Sequence, residues 1–431
     1  MVINRIFKKY IFIIVLMYLS LLICCAESFK PYEVNESSGV RKINNVIYPD
    51  LDKSSISNNI DIDSKLEKIF NEFAYKNAVD LFLTKDNANN VFSPVSLYLA
   101  LSMLGEGTTE AGLNELKEYM GFNTLDELRE SMNVIYQENY YENNLGTSII
   151  TNSLWVKEGL SIEEDYLNIL REYYYGEVYS SNFNNKAIDE IVNYLNHNTN
   201  NFLKVKKEDI SIDNDTLMML INTIYFDNQW KYKFEDISSM EFYAYEETIS
   251  CDFIAHTITS KVYENEKYTM VTDYFENDNT ISYYLPNQGN SVYELFKENI
   301  FDTNNLSQNN GLFSDRNVKI LVPKFEYKKS YNLNDVLKNR GVKSIFESGN
   351  FKSITNIDTF VSIIKQDVGI SLSENGVKAS AITQIGLNKA TANQEYIFIL
   401  DRPFAYVIRD KNNVPLFIGI VNNPNIKNVW I

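Results

Sequence analysis

Histidine, cysteine and proline are scarce in this chain of 431 residues, which holds two, three and eight of them. With only His197 and His256, and with Cys251 the one cysteine beyond the Cys24-Cys25 pair, a zinc site or a Cys/His nucleophile system is hard to assemble. The same cysteine count rules out a disulfide framework. No metal and no cofactor is expected, and the shortage of histidine disfavours an enzyme. Positive charge is also short, 40 basic against 57 acidic side chains, a formal net charge of −17. Nucleic acid is therefore a poor partner, since phosphate binding needs a concentrated basic surface. What is present is an ordinary globular balance, 45% apolar and 23% charged, with ample material for a core.

The N-terminus reads as an address. Arg5, Lys8 and Lys9 precede a mostly apolar run of 14 residues, 10–23, which ends at Cys24-Cys25-Ala26-Glu27. A basic start followed by a short apolar stretch is the pattern of a secretory signal peptide, and a comfortable membrane span needs about 20 apolar residues. A permanent anchor helix is the rival reading. Leu22-Ile23-Cys24-Cys25 also resembles a bacterial lipobox, which would place a lipid on Cys25, although Cys24 stands where that motif prefers a small residue. The expected organisation is a signal peptide over 1–25, a flexible polar tether over 26–64 that is too poor in large apolar groups to fold, and a body over 65–431. The expected location is outside the cell or on the envelope, with membrane contact only through a lipid.

Along the body, apolar spacing predicts helices over 66–83, after Pro94, from Thr109 to Met120 and over 188–203. Ser93 is placed to cap the second of these, with Pro94 at the first helical position. Strands are expected over 148–156, 217–226, 318–325, 359–372, 396–399, 404–408 and 416–421. Residues 240–320 are strand-like, but their order is not evident. Helices first and strands later indicate an α+β fold with large antiparallel sheets.

Several segments, taken in order, resemble the serpin family. Phe92-Ser93-Pro94-Val95-Ser96 resembles its Phe-Ser-Pro-x-Ser helix start. Residues 221–230, Ile-Asn-Thr-Ile-Tyr-Phe leading to Trp230, resemble its Asn-Ala-Ile-Tyr-Phe strand. Val322-Pro323-Lys324-Phe325 with Leu333, Leu337, Gly341 and Phe346 follows a further pattern, and Asp401-Arg402-Pro403-Phe404 with Pro415-Leu416-Phe417-Ile418-Gly419 resembles the C-terminal signature. The resemblance implies three sheets, about nine helices and an exposed reactive-centre loop near the C-terminus. In the mechanism this resemblance implies, a protease cuts that loop and is acylated, and the freed loop then inserts as an extra strand in the largest sheet.

The loop aligns with the family's hinge from Glu374 through Gly376. Insertion places alternate side chains inward, which here are Val377, Ala379, Ala381 and Thr383, all small or β-branched and uncharged. Counting forward puts the reactive bond at Ala390–Thr391; counting back from Pro403 puts it at Ala392–Asn393; trypsin-like chemistry would choose Lys389–Ala390. Ser93, Ser96 and Asn222 match the family's shutter beneath the main sheet, with Gln366 where a histidine is usual, and Trp230 matches the breach at its top. The expected activity is suicide inhibition of serine endopeptidases, elastase- or subtilisin-like, by a monomer whose partner is the acylated protease. The alternative is a non-inhibitory serpin acting as a carrier, chaperone or surface-binding protein.

Overall fold

The computed structural model describes residues 28–51, 64–83, 87–210, 212, 216–297, 312–377 and 395–427. A 3-10 turn at Glu36–Ser38 leads into β1 (Val40–Lys42). Then come α1 (Ser64–Phe82), β2 (Asn90–Phe92), α2 (Pro94–Gly107), α3 (Glu110–Met120) and α4 (Leu125–Asn139). β3 (Tyr141–Asn143) and β4 (Gly146–Lys157) pair with each other, and α5 (Glu164–Ile169) runs into a π-helical turn at Leu170–Tyr174. β5 (Glu177–Ser181) and α6 (Asn185–Asn198) precede β6 (Met218–Asn228). A run of strands follows: β7 (Glu235–Tyr243), β8 (Thr248–Glu264), β9 (Tyr268–Tyr274) and β10 (Thr280–Pro286). After α7 (Val292–Lys297) come β11 (Leu312–Pro323), β12 (Phe325–Asn332), α8 (Asn334–Asn339) and β13 (Ile363–Ser373). The chain closes with β14 (Gly376–Val377), β15 (Tyr396–Ile399), β16 (Phe404–Arg409) and β17 (Pro415–Val421).

The strands make two hydrogen-bonded networks. The main sheet has the order β1-β5-β4-β6-β14-β13-β12, with β3 on β4. The second runs β15-β11-β8-β9-β10-β16-β17-β2, with β7 on β8. Two smaller sheets were expected here, and they share a strand. β8 is 17 residues long; it pairs with β11 from Phe253 to Glu264 and reaches β9 only through Val262, Tyr263 and Glu264. Among the described residues there are eight α-helices. All fourteen residues of α2 are buried, as an element apolar on every side must be. It packs against β4 and β6 of one sheet and β17 of the other, so the core lies between the sheets.

Two expectations need correction. The helix expected over 188–203 stops at Asn198, because Asn200 and Asn201 take left-handed φ of 47° and 54°, a conformation asparagine tolerates. The expected tether is not free between Tyr32 and Asn44. Val40, Arg41 and Lys42 pair with Ser181, Ser180 and Tyr179, so this stretch forms the edge strand of the main sheet. The polar composition of 26–64 predicts a tether unable to bury surface, yet Tyr32, Val40 and Asn44 are buried against the body.

Candidate functional site: the gap in the main sheet

β6 and β13 lie side by side and parallel, but their ladder joins only residues 219–223 to 363–367. Above it no pairing is made until Val377 of β14, which enters between them opposite Leu372 of β13 and Asn228 of β6. β14 is antiparallel to both neighbours. β14, running from Gly376 to Val377, thus points toward an opening between two strands. Gly376 is required at this entry. Its φ is +136°, and a Cβ there would stand 2.2 Å from the Asn228 carbonyl oxygen. Val377 is buried, as the inward register demands.

The top of the opening is held by aromatic and charged groups. Trp230 donates its indole N–H to the Ser373 carbonyl at 2.8 Å and stacks on Phe275 with centroids 4.7 Å apart. Lys324 reaches both Asp236, at 2.5 Å, and Glu374, at 2.7 Å. Partial burial pulls the Lys324 ammonium down, but its hydrogen bonds to the two carboxylates outweigh this and hold it above the usual lysine value. Neither Lys324 nor Asp236 was singled out from the sequence. The only signal was the Pro-Lys-Phe motif, which carries no hint of the partners.

Lower down, Gln366 is 1% exposed and clasps Ser93 by its backbone: Ser93 N donates to Gln366 Oε1 at 3.1 Å, and Gln366 Nε2 donates to the Ser93 carbonyl at 3.0 Å. One amide thereby uses both its donor and its acceptor. Ser93 occupies the N-cap position of α2, but its hydroxyl makes no capping bond. The Ser93 and Ser96 hydroxyls are buried and make no hydrogen bond. Asn222 does not join them; its amide donates sideways to Asn152 Oδ1 on β4. Next to it the Thr151 and Thr223 hydroxyls meet at 2.7 Å. The structure therefore unites Ser93 with Gln366 and sets Asn222 in a separate pair.

The segment after α6 lies over the opening. A Cβ on Gly369 of β13 would come within 2.8 Å of Phe202 and 3.0 Å of Leu203. Asn200 donates to the Tyr225 hydroxyl of β6 at 3.3 Å, and the Lys328 ammonium of β12 sits 5.1 Å from the Phe202 ring centre. Burial and nearby Lys204 pull Lys328 down, while Glu326 opposes them. Ala379, Ala381, Thr383, Lys389, Ala390, Thr391 and Ala392 lie outside the described residues, as does Cys25. Among the described residues, no cluster of three His, Cys, Asp or Glu is arranged to hold a metal ion.

Comparison with known proteins agrees with this geometry. The family model described as Serpin (serine protease inhibitor) matches residues 68–424. An uncharacterized serpin-like protein of Methanosarcina mazei is 28% identical over 362 residues, covering 80% of this chain and 84% of its own length. Among solved structures, a thermophilic serpin, tengpin, in its native state gives a TM-score of 0.74 at 24% identity, covering 84% of this chain and 95% of that one. Human thyroxine-binding globulin complexed with thyroxine gives 0.75 at 22%, covering 84% and 99%.

Proposed function

The chain belongs to the serpin family, whose members are for the most part protease inhibitors, and from that premise we propose that it is an exported suicide inhibitor of serine endopeptidases with elastase- or subtilisin-like targets. The observation that carries this reading is β14, already antiparallel between β6 and β13 with its buried residue uncharged. The protease serine attacks the Ala390 carbonyl, the bond to Thr391 breaks, and the Thr391 amine leaves with a proton. Ala390 remains esterified to the enzyme. The freed strand then continues downward from Val377. The first residues entered fill the unpaired opening, and those that follow replace the short parallel ladder with two antiparallel ones, which are the more stable per residue. Alternating small inward residues let it pass without burying charge. The signal-like N-terminus supports export.

A carrier role is the alternative, and the fold does not separate the two, since the thyroxine-bound globulin shares it. The test is incubation of the purified protein with elastase, subtilisin and trypsin in turn, followed by denaturing gels and mass analysis of the released peptide. A denaturant-resistant complex with a peptide starting at Thr391 is expected. A start at Ala390 or Asn393 would move the bond and keep the mechanism. Cleavage by every protease without a complex would overturn the inhibitor in favour of the carrier.

A further inference from the structure

Two buried carboxylates of the body find their partners in the segment that precedes it. Glu190, on α6, is 3% exposed and accepts two hydrogen bonds, from the Tyr32 hydroxyl at 2.5 Å and from the Asn35 backbone N–H at 2.7 Å. Both donors belong to the N-terminal segment. Glu177, on β5, is 1% exposed; it accepts from the Tyr179 hydroxyl at 2.9 Å and is paired with the Lys42 ammonium. Around these, Tyr32 packs edge-on against Tyr194 and tilts against His197, both on α6. Asn44 closes the far end, donating to the Gly176 carbonyl and accepting from Val178 N–H, each at 2.8 Å. A buried carboxylate stripped of its partners is costly, so this body is built to be used with the segment in place.

α6 is the helix whose following residues cover the opening between β6 and β13. We propose that residues 32–44 form a strap that holds α6 down on the main sheet and so sets how fast the loop can enter. The strap joins α6, through Glu190, to the sheet edge, through β1 and β5. For a strand to pass beneath Phe202 and Leu203, the segment 199–210 must lift, and α6 with it. Releasing the strap removes two anchor points from that motion and leaves the opening itself untouched. This inference rests on the loop-inserting reading above, but its experiment needs no protease.

The full chain is compared with Tyr32→Ala, Tyr32→Phe, Glu190→Ala and Glu190→Gln. Two quantities are read: hydrogen exchange of backbone amides in residues 185–210, and the rate at which uncleaved protein, held below its unfolding temperature, becomes resistant to denaturant. Tyr32→Ala and Glu190→Ala are expected to raise both rates about tenfold or more, leaving exchange in β16 and β17 unchanged. Tyr32→Phe is a milder variant that keeps the ring and removes one donor, and is expected to fall between. Glu190→Gln retains an oxygen that can accept both bonds and is expected to stay near the parent. Unchanged exchange over 185–210 overturns the strap, and so does faster exchange without faster conversion, including the case where no resistant species forms. Faster conversion in a chain that traps no protease would leave the strap standing and remove the inhibitor reading instead.

Discussion

Asp410 shows how one buried group writes a pH dependence into this molecule. Burial pushes its carboxyl up to about 6, against hydrogen bonds from Asn139, Val414 and Asn412 that pull the other way. The folded state therefore binds this proton more tightly than the unfolded chain, whose aspartates titrate near ~3.9. Its contribution to stability is fully present below about pH 4 and is lost as pH rises through about 6. Asp410→Asn should flatten that slope and leave the variant more stable than the parent at pH 8, measured by denaturant midpoints across pH. The buried Asn139 Oδ1, which has no hydrogen bond, can accept from the new amide once the Asn139 side chain turns, at the loss of the bond its Nδ2 donates to the Ile135 carbonyl, about 1 kcal/mol. Cys251 makes a second single-residue case. It is free, buried and pushed up to about 11 by desolvation first and Asp252 second. Native protein should resist alkylation at pH 8 and react only after unfolding, as mass spectrometry would show. Trp230→Phe keeps the stack on Phe275 but leaves the Ser373 carbonyl without its indole donor, a loss of about 1 kcal/mol in denaturant stability.

Among the elements, β14 is the smallest and the most consequential. Gly376→Ala would force a Cβ onto the Asn228 carbonyl at a φ that side chains rarely adopt, a strain of about 1–3 kcal/mol. The expected result is a shift from trapped complex to simple cleavage, read as the ratio of the two bands on a denaturing gel. Val377→Glu would set a charge in a buried position and should abolish the complex altogether while the chain is still cut. These residues were legible in the sequence because the segment resembles the serpin hinge, within which an inserting strand alternates small inward groups with outward ones. So were β15 and the helices with clean apolar spacing. The order of strands over 240–320 was not. It depends on β8, whose burial alternates at its ends and is continuous in the middle, where β7 and β11 both flank it and both faces are covered. The strap was invisible for a different reason. Its value lies in Tyr32, Lys42 and Asn44 meeting partners more than 130 residues away, and local composition reports none of that. Gln366 was found because it replaces a familiar residue, whereas Lys324 carried no anomaly to notice.

On the scale of the whole molecule, the strap alters how the body relates to whatever holds its N-terminus. A free segment over 26–64 would reach on the order of 130 Å when extended, enough to let the serpin sweep a wide volume. With Tyr32 buried in the body, only six residues, 26–31, separate it from Cys25 along the chain, a contour length of about 20 Å. A lipid on Cys25 would then fix the protein close to the membrane, and Cys25→Ser should move it from the membrane fraction to the medium, checked by fractionation and blotting. Range and timing become linked in such a form. So short a length of chain would deliver any pull on a lipid anchor to the Tyr32 end of the strap, so an anchored serpin would meet only partners arriving at the envelope and would register mechanical load on the same contacts proposed to pace its own rearrangement.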